Sequence, residues 1–516
     1  MTTSLPTPVL PTIALGMAFL VGACTVGPDW HKPIAATSHG FMTPPGTAAA
    51  SRAVTSPMDP DWWDIYHDPE LTALERHVAS ANLDLREASA RLDQSRAERG
   101  IAAADRYPIV GGNVSYARER ASPNGVLGLL GTGTDMSPGT VANGTTEFGP
   151  STLPGSNGSA AFDLFQGGLD SSWELDLWGR VRRAVEGADA NLEQSEDMRR
   201  DILVTVLADT ARDYVQLRGV QAQLIITQQN LQTARHSLAL AQARFSFGAT
   251  TQLDVADAAA QVAAIQARVP ALEKQQAHLV NAISFLAGEA PRALQAELAT
   301  ALPLPPMPSA LPIGLPSELA ERRPDIRRAG ARLHQATAAV GIAVADFYPR
   351  VTLSGSLDIQ ALQFTGLGTW NSRQYGIGPQ ISLPIFEGGR LRGELRLRKG
   401  QQQEAAIDYQ RTVLKAWHEV DDALTDYNAA QNQRDRLDEA VRQNKVALAI
   451  AQMQYAQGAT GFLNVLTVQN LLLRAQSDSI QASSDTDVAL VGVYKALGGG
   501  WQANFNTASI TAGRAG

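Results

Sequence analysis

The hydrophobic and polar positions along this chain follow two different periods. From residue 179 to residue 244 there is no proline and most positions hold a good helix former, which predicts one very long helix over 179–246. Such a helix would be about 100 Å long at 1.5 Å per residue. The second half of the chain repeats this pattern over 390–456. Shorter helices are predicted at 69–105, 253–288, 316–346 and 463–497.

Segments between the helices alternate with a period of two, which is typical of strands. The alternation runs through Leu169–Leu177, Thr352–Gln360 and residues 375–385. It predicts β-hairpins at about 109–178 and 350–386. Each strand then has one apolar and one polar face. The acidic residues of the polar faces are Asp170, Glu174, Asp176 and Asp358.

A sheet with one apolar and one polar face suits two settings. It fits a membrane-spanning barrel with a water-filled lumen, and it equally fits a soluble sheet packed on a helical core. Four strands per chain are too few to enclose an open channel. If the strands span a membrane, several copies must therefore each contribute four. The acids on the polar face would then make the lumen favour cations.

The two halves of the chain share one plan. Residues 81–116 resemble residues 322–357, and FSFGATTQLDV at 245–255 matches YAQGATGFLNV at 455–465. A repeat on this scale indicates a duplicated architectural unit. The predicted segments are a signal peptide (1–23), a lipidated extended arm (24–60), a first repeat (61–300), a Pro-rich linker (301–315), a second repeat (316–500) and a C-terminal tail (501–516).

The only cysteine, Cys24, follows an apolar run that ends in small residues. This is the pattern of an export signal with its cleavage site. Val21-Gly22-Ala23-Cys24 resembles the bacterial lipobox, in which the cysteine becomes the lipidated first residue. The alternative is a free buried thiol near the N-terminus. We expect Cys24 to carry a covalent lipid.

Composition argues against several classes of protein. The net charge of −8 disfavours nucleic acid as a partner. The chain has no Gly-Lys-Ser/Thr phosphate loop and no HExxH motif, and its eight histidines are scattered. We therefore expect no enzymatic activity, no metal site and no cofactor besides the lipid.

Several further motifs lie along nearly the whole mature chain. They are Cys24-Thr25-Val26-Gly27-Pro28-Asp29, Trp62-Trp63 with Asp68-Pro69-Glu70-Leu71, Leu315-Pro316-Ser317-Glu318-Leu319 with Glu321-Arg322-Arg323-Pro324-Asp325-Ile326-Arg327, Trp178-Gly179-Arg180, and Phe386-Glu387-Gly388-Gly389-Arg390. In combination they resemble the TolC-like outer-membrane efflux proteins, in the lipoprotein branch often called NodT-like.

The resemblance implies a mainly α-helical fold with a membrane β-barrel. Three copies would form a 12-stranded barrel continued by a long α-helical periplasmic barrel. It implies an exit duct in the bacterial outer membrane, lipid-anchored and extending into the periplasm. Its partners would be a periplasmic adaptor (membrane fusion) protein and an inner-membrane pump of the RND type, which supplies the energy. The alternative is a periplasmic coiled-coil scaffold or adaptor lipoprotein without a pore.

The resemblance also implies a gate at the periplasmic tip, where long and short helices meet. The turns are marked by Phe245 with Gly248 and by Tyr455 with Gly458, since glycine permits the left-handed backbone of a tight turn. Asp254 matches the family's gate acid.

Asp257 lies three residues after Asp254 and so on the same helix face. The alternative for Asp254 is an acid placed at a helix start by the helix dipole. In the second turn, Asn464 and Thr467 stand where members of the family often have acids, and Thr460 where some have a basic residue. We therefore expect an acidic ring from the first repeat and weaker charge pairing from the second.

Overall fold

The computed structural model describes residues 25–33, 51–54, 56–120, 161–314 and 318–502, so Cys24 and most of the predicted tail lie outside it. The helices are α1 (Pro69–Ala81), α2 (Leu83–Ala104), α3 (Arg180–Ser246), α4 (Gln252–Gln266), α5 (Val269–Leu286), α6 (Leu319–Arg322), α7 (Pro324–Ala345), α8 (Arg390–Ala456) and α9 (Phe462–Ala496). The strands are β1 (Arg52–Val54), β2 (Ile109–Glu119), β3 (Phe162–Leu175), β4 (Ala310–Pro312), β5 (Arg350–Ala361) and β6 (Arg373–Ser382).

The two long helices correspond residue by residue. Helices α3 and α8 each contain 67 residues, and they begin at 180 and 390 and end at 246 and 456. The same offset of 210 continues to Gly288 and Gly498, which follow α5 and α9 and both have φ +71°. The duplication therefore runs through more than 100 residues without an insertion or deletion.

Two of the shorter helices are interrupted where the sequence predicted continuous ones. The predicted helix 69–105 breaks at Asn82, whose side-chain oxygen accepts a hydrogen bond from the Leu85 N–H at 3.0 Å. The predicted helix 253–288 breaks between α4 and α5, just before Pro270. Proline lacks the N–H that a continuous helix needs. The matching position in the second repeat is Ile480, and α9 is unbroken there.

The predicted helix 316–346 is also divided. Arg323 has an extended backbone (φ −77°, ψ 119°) between α6 and α7. It precedes Pro324, and a residue before proline is pushed out of the helical region by a clash with the proline ring. The interruption thus follows from the local sequence.

Strands β2, β3, β5 and β6 form an antiparallel sheet in the order β2-β3-β5-β6. The register pairs Asp170 with Ser356 and Asp358 with Gly168. The strand predicted over 375–385 is wrong at its end, because β6 stops at Ser382 before Pro384. Asp176 was predicted on a strand, but β3 ends at Leu175.

The chain divides into two compact units. The sheet unit lies within Met1–Trp30, Glu98–Ala188 and Ala336–Gln401, and the helical unit within His31–Ala97, Asp189–Gln335 and Gln402–Gly516. In the helical unit, Trp62, Trp63 and Tyr66 are fully buried. Trp62 stacks on Tyr494 with ring centroids 5.0 Å apart.

Several residues of the sequence motifs hold the helical unit together. Asp68 caps α1 and accepts a hydrogen bond from the Tyr214 hydroxyl at 2.6 Å. Arg218 is fully buried and donates to Glu70 at 2.6 Å. Arg323 is buried and pairs with Asp325 at 2.7 Å. Removing one partner of such a buried pair is strongly destabilising, so these motifs serve the fold.

No helix in the described ranges has the length and the apolar character needed to cross a bilayer.

Candidate functional site

The two turns predicted as a gate have the same backbone geometry. Gly248 has φ +69° and Gly458 has φ +74°. In the first turn the Ala249 N–H donates to the Arg244 carbonyl at 2.9 Å, and in the second the Ala459 N–H donates to the Gln454 carbonyl at 2.9 Å. These bonds close a glycine-dependent helix cap, because only glycine adopts the left-handed conformation without strain.

The four helices that meet at these turns share an apolar cluster, which we call the tip core. Its buried members come from both repeats: Ala241, Ala258, Ala451, Tyr455, Phe462, Val465 and Leu466. Tyr455 packs against Phe462 with ring centroids 5.3 Å apart. The two turns are therefore joined within one chain.

Arg244 links the two turns and was missed by the sequence analysis. Its guanidinium lies 4.3 Å from the centre of the Tyr455 ring. It also donates to the carbonyls of Tyr455 and Ala456, at 3.2 and 3.3 Å. A cation at these carbonyls is favourable because they carry the negative end of the α8 dipole. The only sequence signal is that Arg244 precedes Phe245, whereas Gln454 stands at the matching place.

Asp254 is the third residue of α4 and completes a capping box with Thr251. The Thr250 hydroxyl also donates to its carboxylate. These hydrogen bonds, that from Thr250 first, hold the pKa of Asp254 below its ordinary value. The carboxylate is thus engaged at the helix start, as the alternative interpretation expected, and it is charged at neutral pH.

The other predicted gate residues differ in how far they are exposed to solvent. Asp257 is half-buried one turn after Asp254, while Asn464 and Phe245 are exposed. The Tyr455 hydroxyl is buried and has no hydrogen-bond partner among the described residues. The positions that match Asp254 and Asp257 in the second repeat hold Asn464 and Thr467. At these positions only the first repeat therefore supplies acids.

The polar face of the sheet carries three of the four predicted acids. The strand pairing places Asp170, Glu174 and Asp358 on one face. A glycine lies opposite Asp358 at position 168 and opposite Asp170 at position 111, so each carboxylate has room beside it.

The remaining contacts distinguish the acids. Glu174 pairs with Arg180 at 2.8 Å. Asp176 accepts hydrogen bonds from the backbone N–H groups of Val181 and Arg182, at 3.0 and 2.8 Å, and so caps α3. Asp170 and Asp358 are the two predicted lumen acids that lie on the strands and outside these ion-pair and capping contacts.

The other face of the sheet is apolar and exposed. Val114, Tyr375 and Ile377 are 92%, 83% and 81% exposed. A sheet with exposed apolar residues on one face and acids on the other, in a chain with long duplicated helices, defines the class of outer-membrane channel proteins that the motifs predicted.

Comparisons with known proteins agree. The sequence profile described as "Outer membrane efflux protein" matches residues 76–289 and 315–499, and the chain belongs to this family. It is 32% identical to the pyoverdine export outer membrane protein OpmQ of Pseudomonas putida, over 91% of this chain and 94% of OpmQ. It is 30% identical to the outer membrane protein OprJ of Pseudomonas aeruginosa, over 95% of each chain.

A solved structure of the outer-membrane channel OprN is similar, with a TM-score of 0.81 and 34% identity. It covers 93% of this chain and 100% of the OprN chain. The predicted family and fold class are confirmed.

Proposed function

We propose that this protein is the outer-membrane exit channel of a tripartite efflux system. The family match across both repeats carries the proposal, and the relatives include an export protein that matches 91% of the chain. The channel conducts passively from a periplasmic adaptor and an inner-membrane pump of the RND type to the exterior. It has no catalytic role, and transport energy comes from the pump.

The working form is a homotrimer. Strands β2 and β6 are the two edges of the four-stranded sheet. Unpaired edges must be satisfied inside a membrane, and four strands cannot enclose a channel. Three copies together supply twelve strands, with the apolar residues outside and Asp170 and Asp358 inside.

Single-channel recording in planar bilayers tests this proposal. The purified protein should be a trimer by light scattering and should open pores in the bilayer. A monodisperse monomer without conductance would instead support a scaffold or adaptor without a pore.

The lumen acids are tested by reversal potentials in a salt gradient. The pore should prefer cations, and Asp170→Asn with Asp358→Asn should weaken that preference. Asp176→Asn is the matched control, because Asp176 caps a helix beyond the strand. Anion preference in the unaltered channel would contradict the lumen assignment.

Asp254 and Asp257 form a ring of six carboxylates at the tip of the trimer. Such a ring attracts divalent cations. Divalent ions on the periplasmic side should block conductance, and Asp254→Ala with Asp257→Ala should relieve the block. A double variant that keeps the full block would place the constriction elsewhere.

Cys24 carries the lipid anchor in this proposal. Two or more acyl chains hold a protein on a bilayer stably, whereas one is marginal. Mass spectrometry of the mature protein should find a lipidated residue 24 at its N-terminus. An unmodified N-terminus upstream of residue 24 would contradict the anchor.

A further inference from the structure

The segment Thr25–Asp29 crosses the start of α3 in the sheet unit. The Val26 N–H donates to the Trp178 carbonyl at 3.1 Å. The Thr25 side chain lies against Gly179, where an added Cβ would be only 2.7 Å from the Thr25 methyl group. Both contacts are made with the residues that directly precede α3. They hold the first two residues of the segment, Thr25 and Val26.

Two glycines let the segment touch α7 backbone to backbone. Gly27 has φ +94°, and an added Cβ there would be 2.7 Å from the Gly341 Cα. A Cβ on Gly341 would be 2.9 Å from the side chain of Arg183. A Cβ at either position therefore meets atoms that lie too close, and the left-handed conformation of Gly27 disfavours any other residue.

Arg183 closes the same site from α3. Its side chain is buried and its guanidinium contacts Asp29 at 2.6 Å and Glu186 at 2.7 Å. The Asp29 side chain is 73% exposed, so solvent screens this ion pair and it contributes little. Close packing at the glycines and the Val26 hydrogen bond therefore do most to hold the segment.

The counterparts of these residues under the internal repeat have no such cover among the described parts of the chain. The counterpart of Gly341 is Gly100, that of Gly179 is Gly389 and that of Arg183 is Gly393. An added Cβ at any of these three glycines would meet nothing within 4 Å. The contacts with Thr25–Asp29 are thus specific to one place in the chain.

We propose that Gly179, Arg183 and Gly341 form a seat that binds Thr25–Asp29 and fixes the attachment point of the lipid beside the start of α3. Thr25 directly follows Cys24 in the sequence. The lipid part of this proposal rests on the anchor at Cys24 proposed above. The seat itself is a property of the described residues.

Hydrogen exchange at the Val26 amide in the full-length, detergent-purified protein tests the seat. Gly341→Ala should accelerate this exchange about tenfold or more, because the added methyl group meets the buried side chain of Arg183, which forms part of the seat. Gly100→Ala is the matched control: it makes the same change at the same repeat position and should leave the exchange unchanged. Equal exchange rates in the two variants would overturn the proposal.

Gly27→Ala provides a second test that does not alter any helix, so it answers the question even if Gly341→Ala fails to fold. It should also accelerate exchange at Val26, and unaltered exchange would overturn the seat. The same measurement on Cys24→Ser separates the seat from the anchor. Protection that persists without the lipid supports the seat, whereas protection that disappears shows that the lipid alone orders the segment.

Discussion

In each repeat the helix that leads into the sheet ends in a similar sequence, but the two junctions have different surroundings. Where α7 leads into β5, Tyr348 stacks on Trp178 with ring centroids 4.8 Å apart. The Trp178 indole donates to the Pro349 carbonyl at 2.8 Å. Where α2 leads into β2, the matching residue Tyr107 is 69% exposed.

The difference teaches that internal repetition does not imply equal packing. Within one chain, β3 and β5 are neighbours, whereas β2 and β6 are the two sheet edges. The surroundings of Tyr107 are therefore completed, in the proposed trimer, by another copy. One repeat junction stabilises the chain, and its counterpart is available to stabilise the assembly.

The contrast with the largest expected effect on stability is an acid that is buried in one repeat and absent from the other. Asp487 in α9 is 2% exposed, and its counterpart in α5 is Ala277. Burial raises the pKa of Asp487 to about 8, partly offset by Arg434. The Tyr66 hydroxyl donates to the backbone carbonyl of Asp487 at 3.0 Å.

Because the folded chain keeps this proton and the unfolded chain releases it, stability should fall as pH rises from about 4 to about 8. One pKa unit corresponds to about 1.4 kcal/mol, so the loss amounts to a few kcal/mol. Asp487→Asn should remove it and stabilise the protein at pH 8 but not at pH 4. Denaturation midpoints across this range measure the effect, with the exposed Asp485→Asn as control. An unchanged pH slope in Asp487→Asn would refute the assignment.

The second contrast concerns the two tyrosines. Tyr348→Ala should destabilise each chain by about 1–2 kcal/mol, because it removes an aromatic pair and its buried area. Tyr107→Ala should leave the stability of the single chain unchanged and should weaken the trimer. Urea unfolding reports the first effect and trimer dissociation on heating in detergent reports the second. If both variants lower only the stability of the single chain and leave trimer dissociation unchanged, the two junctions do not differ as inferred.

The third contrast is between Arg244 and Gln454 at the tip. Arg244→Gln removes a cation–π contact and two hydrogen bonds to α8, a loss of about 1 kcal/mol. The turns should then separate more easily and the resting conductance should rise. Gln454→Ala, at the matching position, should not change it. A higher conductance in both variants would mean that the turns respond to any change at this position.

The smallest contrast lies at the helix starts after the turns. Asp254 completes a capping box at α4, whereas the Gly461 start of α9 has no side-chain cap. Asp254→Ala should therefore open the first turn of α4 by about 0.5–1 kcal/mol, and Asn464→Ala should have a smaller effect on α9. Hydrogen exchange at the two helix starts gives both values. Equal changes would show that the capping box contributes nothing.

Periodicity and glycine placement predicted much of the fold. The long helices were predicted to within one residue of α3 and α8, and Gly248 and Gly458 lie in the predicted turns. Asp176 was misplaced because apolar alternation continues past the end of β3 into a helix cap. The interruption before Pro270 was not predicted because the helical spacing of apolar residues continues on both sides of it.

Contacts between distant segments were beyond the reach of these patterns. The seat depends on Gly27 and Gly341, which have no side chain to produce a hydrophobic pattern. The role of Arg244 depends on the neighbouring turn, more than 200 residues away in the sequence. Only the three-dimensional arrangement identifies such residues.

The uninterrupted offset between the repeats constrains how this chain can vary in length. One inserted residue rotates the remainder of an α-helix by about 100°, since a turn contains 3.6 residues. Beyond such an insertion in α3, the positions that contribute Ala241 and Arg244 would face a different direction from their partners on α8. We expect length differences among relatives to fall in loops, or to occur in both long helices together. An alignment of relatives should therefore show few insertions or deletions confined to α3 or to α8 alone.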